Sequence, residues 1–245
     1  MRKRNVGVIG GGPAGCTVAL LLAKQGCQVT IFERAVKPKP VGAGIMLQPT
    51  GLATLRLLNL EDQIKKNGLP INGIHSVDLK GREIFNLSLH LNGVPGAYGV
   101  HRTSLFTNLY QAVYSNEAIQ IHSGQEIADI QKKAVTSQTT LITTNKEAFS
   151  GFDLIIVADG RGSLVRKQFS SLIKVAKRDQ YLALWAKLDR TDYQLNNKIN
   201  HVYDGTKTMY GLMPIGYEDN EHIGTEKVNF FYGAHESFLK EWTPQ

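Results

Sequence analysis

Three glycines between a short apolar run and an amphipathic run constrain the fold of this chain more than any other feature. Residues 5–10, Asn-Val-Gly-Val-Ile-Gly, predict a strand, and from Pro13 the apolar residues recur at helical spacing. Gly10, Gly12 and Gly15 form the pattern G-x-G-x-x-G at this junction. In such a unit the first glycine permits a tight turn, the second lets a ligand approach the backbone, and the third lets helix and strand pack closely. The pattern predicts an α/β fold.

A second predicted strand, Gln28–Glu33, ends in an acidic residue 18 positions after Gly15. A carboxylate at that place can accept hydrogen bonds from both ribose hydroxyls of an adenosine, and the helix N-terminus offers free N–H groups to phosphates. We therefore predict a site for an ADP-containing dinucleotide, with glycines that serve packing alone as the alternative. The residues predicted to bind it are Gly10, Gly12, Pro13, Ala14, Gly15, Glu33 and Arg34.

The chain after this unit does not continue as a simple dehydrogenase would. Beyond Glu33 it enters a proline-containing loop and the segment Gly42-Ala-Gly44, and then a predicted helix with leucines at 52, 55, 58 and 60. Farther on, an apolar run over residues 152–158 predicts a buried parallel strand. That run leads directly into Asp-Gly-Arg-Gly-Ser-Leu-Val-Arg at residues 159–166.

A third segment completes the pattern, because Arg102 opens a predicted helix that reads Arg-x-x-Leu-x-x-x-Leu. With the glycine loop, Glu33 and the Asp-Gly-x-x-Ser-x-x-Arg segment, the chain resembles the N-terminal part of the group A flavoprotein monooxygenases, the aromatic-ring hydroxylases. The resemblance implies an α/β fold in which a mostly antiparallel β substrate domain, incomplete at its C-terminal end, is inserted in a Rossmann-like FAD-binding domain. It also implies further FAD-binding residues, which are Gly44 near the flavin ring, Arg102 at the phosphates or ribityl chain, and Asp159, Gly160, Ser163 and Arg166.

The resemblance divides the chain into two discontinuous domains. We predict residues 1–70 and 101–172 as the FAD-binding domain, and residues 71–100 and 173–245 as part of the substrate domain. The β-like stretches of the second domain cover residues 74–79, 181–188, 201–203, 209–215 and 228–232. Its apolar and aromatic side chains are candidates for a substrate pocket, and the core is the stronger alternative for them. They are Trp185, Tyr203, Tyr210, Met213, Phe230 and Tyr232.

The resemblance also implies a function. It predicts an FAD-dependent monooxygenase that hydroxylates an aromatic or related small molecule with O2 and with NADH or NADPH as electron donor, without assigning a catalytic residue. The alternatives are a flavin-dependent reductase or dehydrogenase that inserts no oxygen, and a truncated FAD-binding fragment without catalysis. The last alternative rests on a family fingerprint, Gly-Asp-Ala-Ala-His followed by a proline, because no Gly-Asp dipeptide occurs in this sequence.

Composition limits the other classes of function. The 28 Lys and Arg against 21 Asp and Glu give a net charge of +7, but the basic clusters are short and lack interleaved aromatic residues, so we expect no nucleic-acid partner. Two cysteines exclude a disulfide framework and a four-cysteine metal site. No apolar run approaches the length of a membrane span, and Gly10–Pro13 interrupts what would otherwise resemble a signal peptide. We expect a cytoplasmic protein, in which a second copy or a complementing C-terminal fragment is the candidate partner.

Overall fold

The computed structural model describes residues 3–40, 42, 44–91, 93–132, 139–174, 181–190, 196–218 and 225–239. The helices are α1 (Pro13–Lys24), α2 (Pro49–Leu57), α3 (Glu61–Asn67), α4 (Arg102–Tyr114), α5 (Glu236–Leu239) and a 3-10 helix (Val165–Leu172). The first nine strands are β1 (Asn5–Ile9), β2 (Gln28–Glu33), β3 (Gly44–Leu47), β4 (Leu69–Ile71), β5 (Gly73–Asp78), β6 (Glu83–Ser88), β7 (His90–Leu91), β8 (Val94–Pro95) and β9 (Ala97–His101). The remaining strands are β10 (Ile119–Ser123), β11 (Ile127–Lys132), β12 (Thr139–Thr143), β13 (Ala148–Phe152), β14 (Leu154–Val157), β15 (Tyr181–Asp189), β16 (Lys198–Asp204), β17 (Thr208–Gly216) and β18 (Lys227–His235).

Contacts divide the chain into two compact units. The loop unit comprises Met1–Pro40 and Phe106–Ala176, and the sheet unit comprises Val41–Leu105 and Lys177–Gln245. The predicted boundaries follow residues 70, 100 and 172. By contacts, residues 41–70 and 101–105, predicted as FAD-binding domain, belong to the sheet unit, and residues 173–176, predicted as substrate domain, belong to the loop unit. The assignment of one function to each part of the chain stays a prediction.

The loop unit is built on a parallel sheet with the strand order β10-β2-β1-β14. All three neighbouring pairs are parallel, and Ile9 of β1 lies beside Phe32 of β2 and Val157 of β14 at the carboxyl ends of the strands. The chain moves from β1 to one side through β2 and β10, and β14 lies on the other side of β1. The strand order thus reverses between β1 and β14, and such a switch point at the carboxyl ends of parallel strands is where nucleotides bind in open α/β sheets.

The packing of the loop unit follows only in part from its sequence. On α1 the residues Cys16, Ala19 and Leu20 are buried. The apolar residues on which the helix was predicted lie outside this face, since Ala14 is exposed and Val18, Leu21 and Leu22 are half-buried. A second, antiparallel sheet has the order β11-β12-β13. Its apolar residues join the parallel sheet in one core cluster, whose buried members are Ile9, Phe32, Ile127, Leu141, Phe152 and Val165.

The apolar run over residues 152–158 differs from its prediction. Phe152 ends β13, and β14 begins only at Leu154. Leu154 and Val157 are 46% and 44% exposed. The strand is parallel to β1 as predicted, but it is only partly buried because it lies at an edge of the sheet as far as the structure describes it.

The sheet unit contains a six-stranded sheet with the order β15-β18-β17-β16-β5-β6. Its pairs are antiparallel except β5 with β16, which confirms a mostly antiparallel sheet. A three-stranded sheet, β3-β9-β4, belongs to the same unit, and β7 pairs with β8. The core cluster of this unit has Ile71, Ala97, Ile199, Met213 and Ile215 as its buried residues.

The predicted helix with four leucines is two helices in the structure. α2 ends at Leu57, and Asn59 takes a left-handed conformation with φ of 58° before α3 begins at Glu61. Asparagine enters this conformation more readily than most residues. Among the described residues, the structure has no helix with the length and apolar character needed to cross a membrane.

Candidate functional site

The first and third glycines of the loop are required by close packing. Gly10 has φ of 101°, and a Cβ atom there would lie 2.5 Å from the carbonyl oxygen of Ala158. A Cβ atom on Gly15 would overlap the carbonyl oxygen of Gly10. These contacts bring the start of α1 against the end of β1, and they bring the glycine loop beside the segment that begins at Asp159.

Gly12 differs from its two neighbours, because no atom lies within 4 Å of where its Cβ would be. Its φ and ψ of −72° and 178° are open to any residue, so packing and conformation do not require glycine there. Gly12 is the N-cap of α1, with Pro13 as the first helical residue and no acidic residue in the first turn. The helix N-terminus therefore presents backbone N–H groups to open space, as an anion site requires.

Glu33 holds the backbone of the loop in place. Its Oε2 accepts a hydrogen bond from the Gly11 N–H at 2.8 Å, and its Oε1 accepts one from the Ala35 N–H at 2.8 Å. Each carboxylate oxygen retains acceptor capacity beyond these bonds. The structure thus brings Glu33 to the glycine loop, and its binding to a ribose stays a prediction.

Two polar side chains lie beneath the loop. The Cys16 thiol donates a hydrogen bond to the Gly11 carbonyl oxygen at 3.3 Å, and burial together with the nearby Glu33 raises its pKa to about 12, so the thiol stays protonated. The Tyr110 hydroxyl is buried and has no hydrogen-bond partner among the described residues. It lies 2.5 Å from where a Cβ on Gly11 would be, so it leaves room only for glycine. Burial also raises the pKa of Tyr110.

The segment at residues 159–166 forms a hydrogen-bonded turn. Gly160 has φ of 75°, and the buried Ser163 accepts a hydrogen bond from the Arg166 N–H at 2.9 Å through its Oγ. The Arg166 guanidinium donates to the carbonyl oxygen of Arg161. Ser163 and Arg166 therefore shape this turn, and their contact with a cofactor stays a prediction.

A small cavity of the loop unit collects four of the predicted residues. Gly10, Glu33, Arg34 and Asp159 all line it. The sequence did not indicate the other side of this cavity, where Gln125, Glu126, Ile127 and Leu164 lie. Gln125 is tied to the site because its N–H donates to the Glu33 carbonyl oxygen at 2.9 Å. A wider cleft of about 840 Å³ elsewhere in the loop unit, lined by Thr30 and His122 among others, contains none of the predicted residues.

The sheet unit brings together two other predicted residues, Gly44 and Arg102. Gly44 pairs with His101 across β3 and β9, and Arg102 is the first residue of α4. Gly42, with φ of 105°, lies against the Arg102 side chain, because a Cβ there would be 2.8 Å from both Cδ and Nη1 of the arginine. This glycine gives the guanidinium its space.

Comparison with known proteins agrees with these features. The family model described as FAD binding domain matches residues 3–223. The chain belongs to the FAD-dependent monooxygenase family, the group A aromatic hydroxylases. This finding confirms the family suggested by the sequence, together with its α/β fold.

Several relatives of this chain have names that refer to aromatic compounds. It is 31% identical over 183 residues to 3-amino-4-hydroxybenzoate 2-monooxygenase of Streptomyces cremeus, an alignment that covers 72% of this chain and 44% of the relative. It is 26% identical over 165 residues to 3-hydroxybenzoate 6-hydroxylase of Klebsiella oxytoca, covering 65% and 41%. The solved structure titled as the tetrameric form of 2-methyl-3-hydroxypyridine-5-carboxylic acid oxygenase superposes with a TM-score of 0.77 at 20% identity, covering 97% of this chain and 60% of that one.

These alignments also define how much of the relatives this chain represents. It spans about two fifths of the length of the curated relatives named above. The structural match, which shows the fold alone, leaves two fifths of the solved chain without a counterpart.

Proposed function

We propose that this protein is an FAD-dependent monooxygenase that hydroxylates a small aromatic molecule with O2 and with NADH or NADPH. The observation that carries the proposal is the glycine loop of this chain, which belongs to the family. Gly10 and Gly15 are required by packing, whereas Gly12 borders open space at an uncapped helix N-terminus. A glycine that the fold itself does not require is expected where a ligand approaches the backbone.

The residues of the loop unit fit the adenosine and pyrophosphate part of FAD. The N-terminus of α1 would hold the pyrophosphate, and the free acceptor capacity of Glu33 would bind the ribose. Asp159 and Arg34 line the cavity beside it. For the remaining residues, Gly44, Arg102, Gly160, Ser163 and Arg166, the proposal takes their roles from the family.

When bound, FAD supplies the redox chemistry of such an enzyme, which is electron transfer from the nicotinamide and reaction with O2. The residues of the chain would bind and orient the cofactor. The proposed substrate class rests on the relatives, whose names include a hydroxybenzoate hydroxylase and kynurenine 3-monooxygenases.

The first experiment is an absorption spectrum of the purified chain after incubation with FAD and desalting. We expect flavin bands that survive desalting in the native chain and are lost in Gly12→Val. A colourless native protein would contradict FAD binding by this chain and favour the alternative of a non-catalytic fragment.

The second experiment separates a monooxygenase from a flavin-dependent reductase. The FAD-loaded protein is given NADH or NADPH and a panel of hydroxybenzoates under 18O-labelled O2. We expect one labelled oxygen atom in the product. If the nicotinamide is oxidised and hydrogen peroxide forms, but no hydroxybenzoate gains a labelled oxygen atom, the result would contradict the monooxygenase and favour the reductase.

A further inference from the structure

His101 is a buried histidine in front of Arg102, for which the family resemblance predicts a contact with the FAD phosphates or the ribityl chain. It ends β9, and its side chain is fully buried. Its Nδ1 accepts a hydrogen bond from the Thr103 N–H at 3.1 Å. Because α4 begins at Arg102, His101 is the N-cap of this helix and satisfies one of its first N–H groups, a role that Ser, Thr, Asp or Asn usually has.

This hydrogen bond fixes the protonation state of the imidazole. An Nδ1 that accepts a bond carries no proton, so the neutral ring has its proton on Nε2. Nε2 has no hydrogen-bond partner among the described residues, and it lies 4.0 Å from Oε1 of Glu218. Protonation of Nδ1 would turn the acceptor into a donor that faces the Thr103 N–H, and the cap would be lost.

The surroundings of the ring oppose such protonation. Burial is the main cause that lowers the pKa of His101, and the charges of Lys187 on β15 and Lys227 on β18 lower it further. Glu218, which follows β17, acts in the opposite direction. Its carboxylate accepts a hydrogen bond from Lys187 Nζ at 2.9 Å, so the lysine partly offsets the negative charge near His101.

We propose that His101 is a positioning residue that, as the neutral cap of α4, holds the backbone of Arg102 in the direction needed to bind the phosphates of FAD. The inference rests on the proposed function, because that function supplies the ligand of Arg102. Within the sheet unit, the cap orients the first turn of the helix, and Gly42 leaves space for the side chain. Arg102 would be the group that touches the cofactor, and His101 would act through it.

The test is a double-mutant cycle between His101 and Arg102. His101→Ala, Arg102→Gln, and the two together are compared with the native chain by fluorescence titration with FAD at pH 8. We expect each single change to weaken FAD binding about tenfold, and His101→Ala to add less than twofold in the Arg102→Gln chain. Independent losses that multiply to about a hundredfold would overturn the proposal, because His101 would then not act through Arg102.

A rescue variant separates the cap from the ring. Asparagine is a good N-cap, so His101→Asn should restore FAD binding to within about threefold of the native chain. Hydrogen exchange of the Thr103 amide should be at least tenfold faster in His101→Ala and slow again in His101→Asn. Because burial lowers the pKa of His101 from its usual value of about 6.5, the native chain should also lose FAD affinity once the pH falls below that lowered pKa, and His101→Asn should not. A His101→Asn chain as impaired as His101→Ala would overturn the proposal.

The same measurements distinguish failure of this inference from failure of the proposed function. A native chain that binds no FAD would refute the proposed function, and the exchange data would then confine His101 to a structural cap. If the native chain binds FAD and His101→Ala binds it equally tightly, only the positioning role of His101 is refuted.

Discussion

The two units hold their candidate cofactor residues by opposite means. In the loop unit the anion site is made of backbone, because Gly12 offers no side chain and the N-terminus of α1 offers N–H groups. In the sheet unit Arg102 begins a helix that a buried imidazole caps, and a carboxylate that accepts a hydrogen bond from Lys187 lies 4.0 Å from the imidazole. A site made of backbone depends on space, and a site made of titratable side chains depends on pH.

The two kinds of site should therefore respond differently to mutation. The loop should be sensitive to any added atom and insensitive to pH above the range where carboxylates titrate. The cap of α4 should tolerate another acceptor of similar reach and should fail when the imidazole is protonated. The following predictions test this comparison, beginning with the largest effect.

Gly15→Ala should have the largest effect, because its Cβ would overlap the Gly10 carbonyl oxygen and separate α1 from β1. We expect the free energy of unfolding to fall by about 3 kcal/mol or more, measured by urea denaturation. Gly12→Ala is the matched control and should cost about 1 kcal/mol or less as a weakened N-cap. Similar losses in both variants would mean that the loop has no position reserved for a ligand.

Gly12→Val should come next, and it acts on the ligand. The fold has room for the side chain, but the pyrophosphate would not. We expect FAD affinity to fall at least about a hundredfold, equivalent to about 2.7 kcal/mol, while the circular dichroism spectrum is unchanged. Native affinity in this variant would show that FAD binds elsewhere.

Glu33→Ala should have a smaller effect, divided between folding and binding. It leaves the N–H groups of Gly11 and Ala35 without their acceptor, which should cost about 1–3 kcal/mol of unfolding free energy. We expect FAD affinity to fall about tenfold or more, and Glu33→Gln, which keeps one acceptor oxygen, to be less impaired in both measurements. If FAD affinity is unchanged in Glu33→Ala, the residue only supports the loop.

The smallest effect tests whether charges matter elsewhere in the sheet unit. Glu61, which is 6% exposed, accepts hydrogen bonds from Arg56 and pairs with Lys65, and these contacts lower its pKa. A carboxylate with a lowered pKa adds stability above its unfolded pKa, and that stability is lost as the pH falls through the folded value. Thermal unfolding between about pH 6 and pH 3.5 should therefore show a smaller loss of stability in Glu61→Gln than in the native chain. If both proteins lose the same stability over this pH range, the contacts of Glu61 do not lower its pKa.

The backbone-built site was also the one that the sequence could predict. Glycine spacing and the strand that ends at Glu33 depend on local rules, so β2 has its predicted bounds and α1 begins at Pro13. Composition also predicted five strands of the sheet unit, and the structure confirms them as β5, β15, β16, β17 and β18. The other strands of this unit were not predicted individually. The sequence did not predict the break between α2 and α3. The four leucines lie on both sides of Asn59, and nothing in their spacing indicates that the backbone takes a positive φ there.

The sequence did not indicate the residues that reach a candidate site only through tertiary contacts. Gln125 lies at the Glu33 cavity only because its segment follows β10, the strand next to β2. Tyr110 reads as an ordinary core residue of α4, and its approach to Gly11 depends on how that helix packs. His101 precedes an arginine in the sequence. The burial of its side chain and its approach to Glu218 depend on tertiary packing, which the sequence does not show.

The two backbone bonds to Glu33 have a consequence for the choice among nucleotides. Because both oxygens are anchored by Gly11 and Ala35, the carboxylate cannot easily swing away from an incoming adenosine ribose. A ribose with free hydroxyls would find two acceptors there, whereas a 2′-phosphate would meet a fixed negative charge of its own sign. The loop should therefore reject a dinucleotide that carries a 2′-phosphate, such as NADP(H).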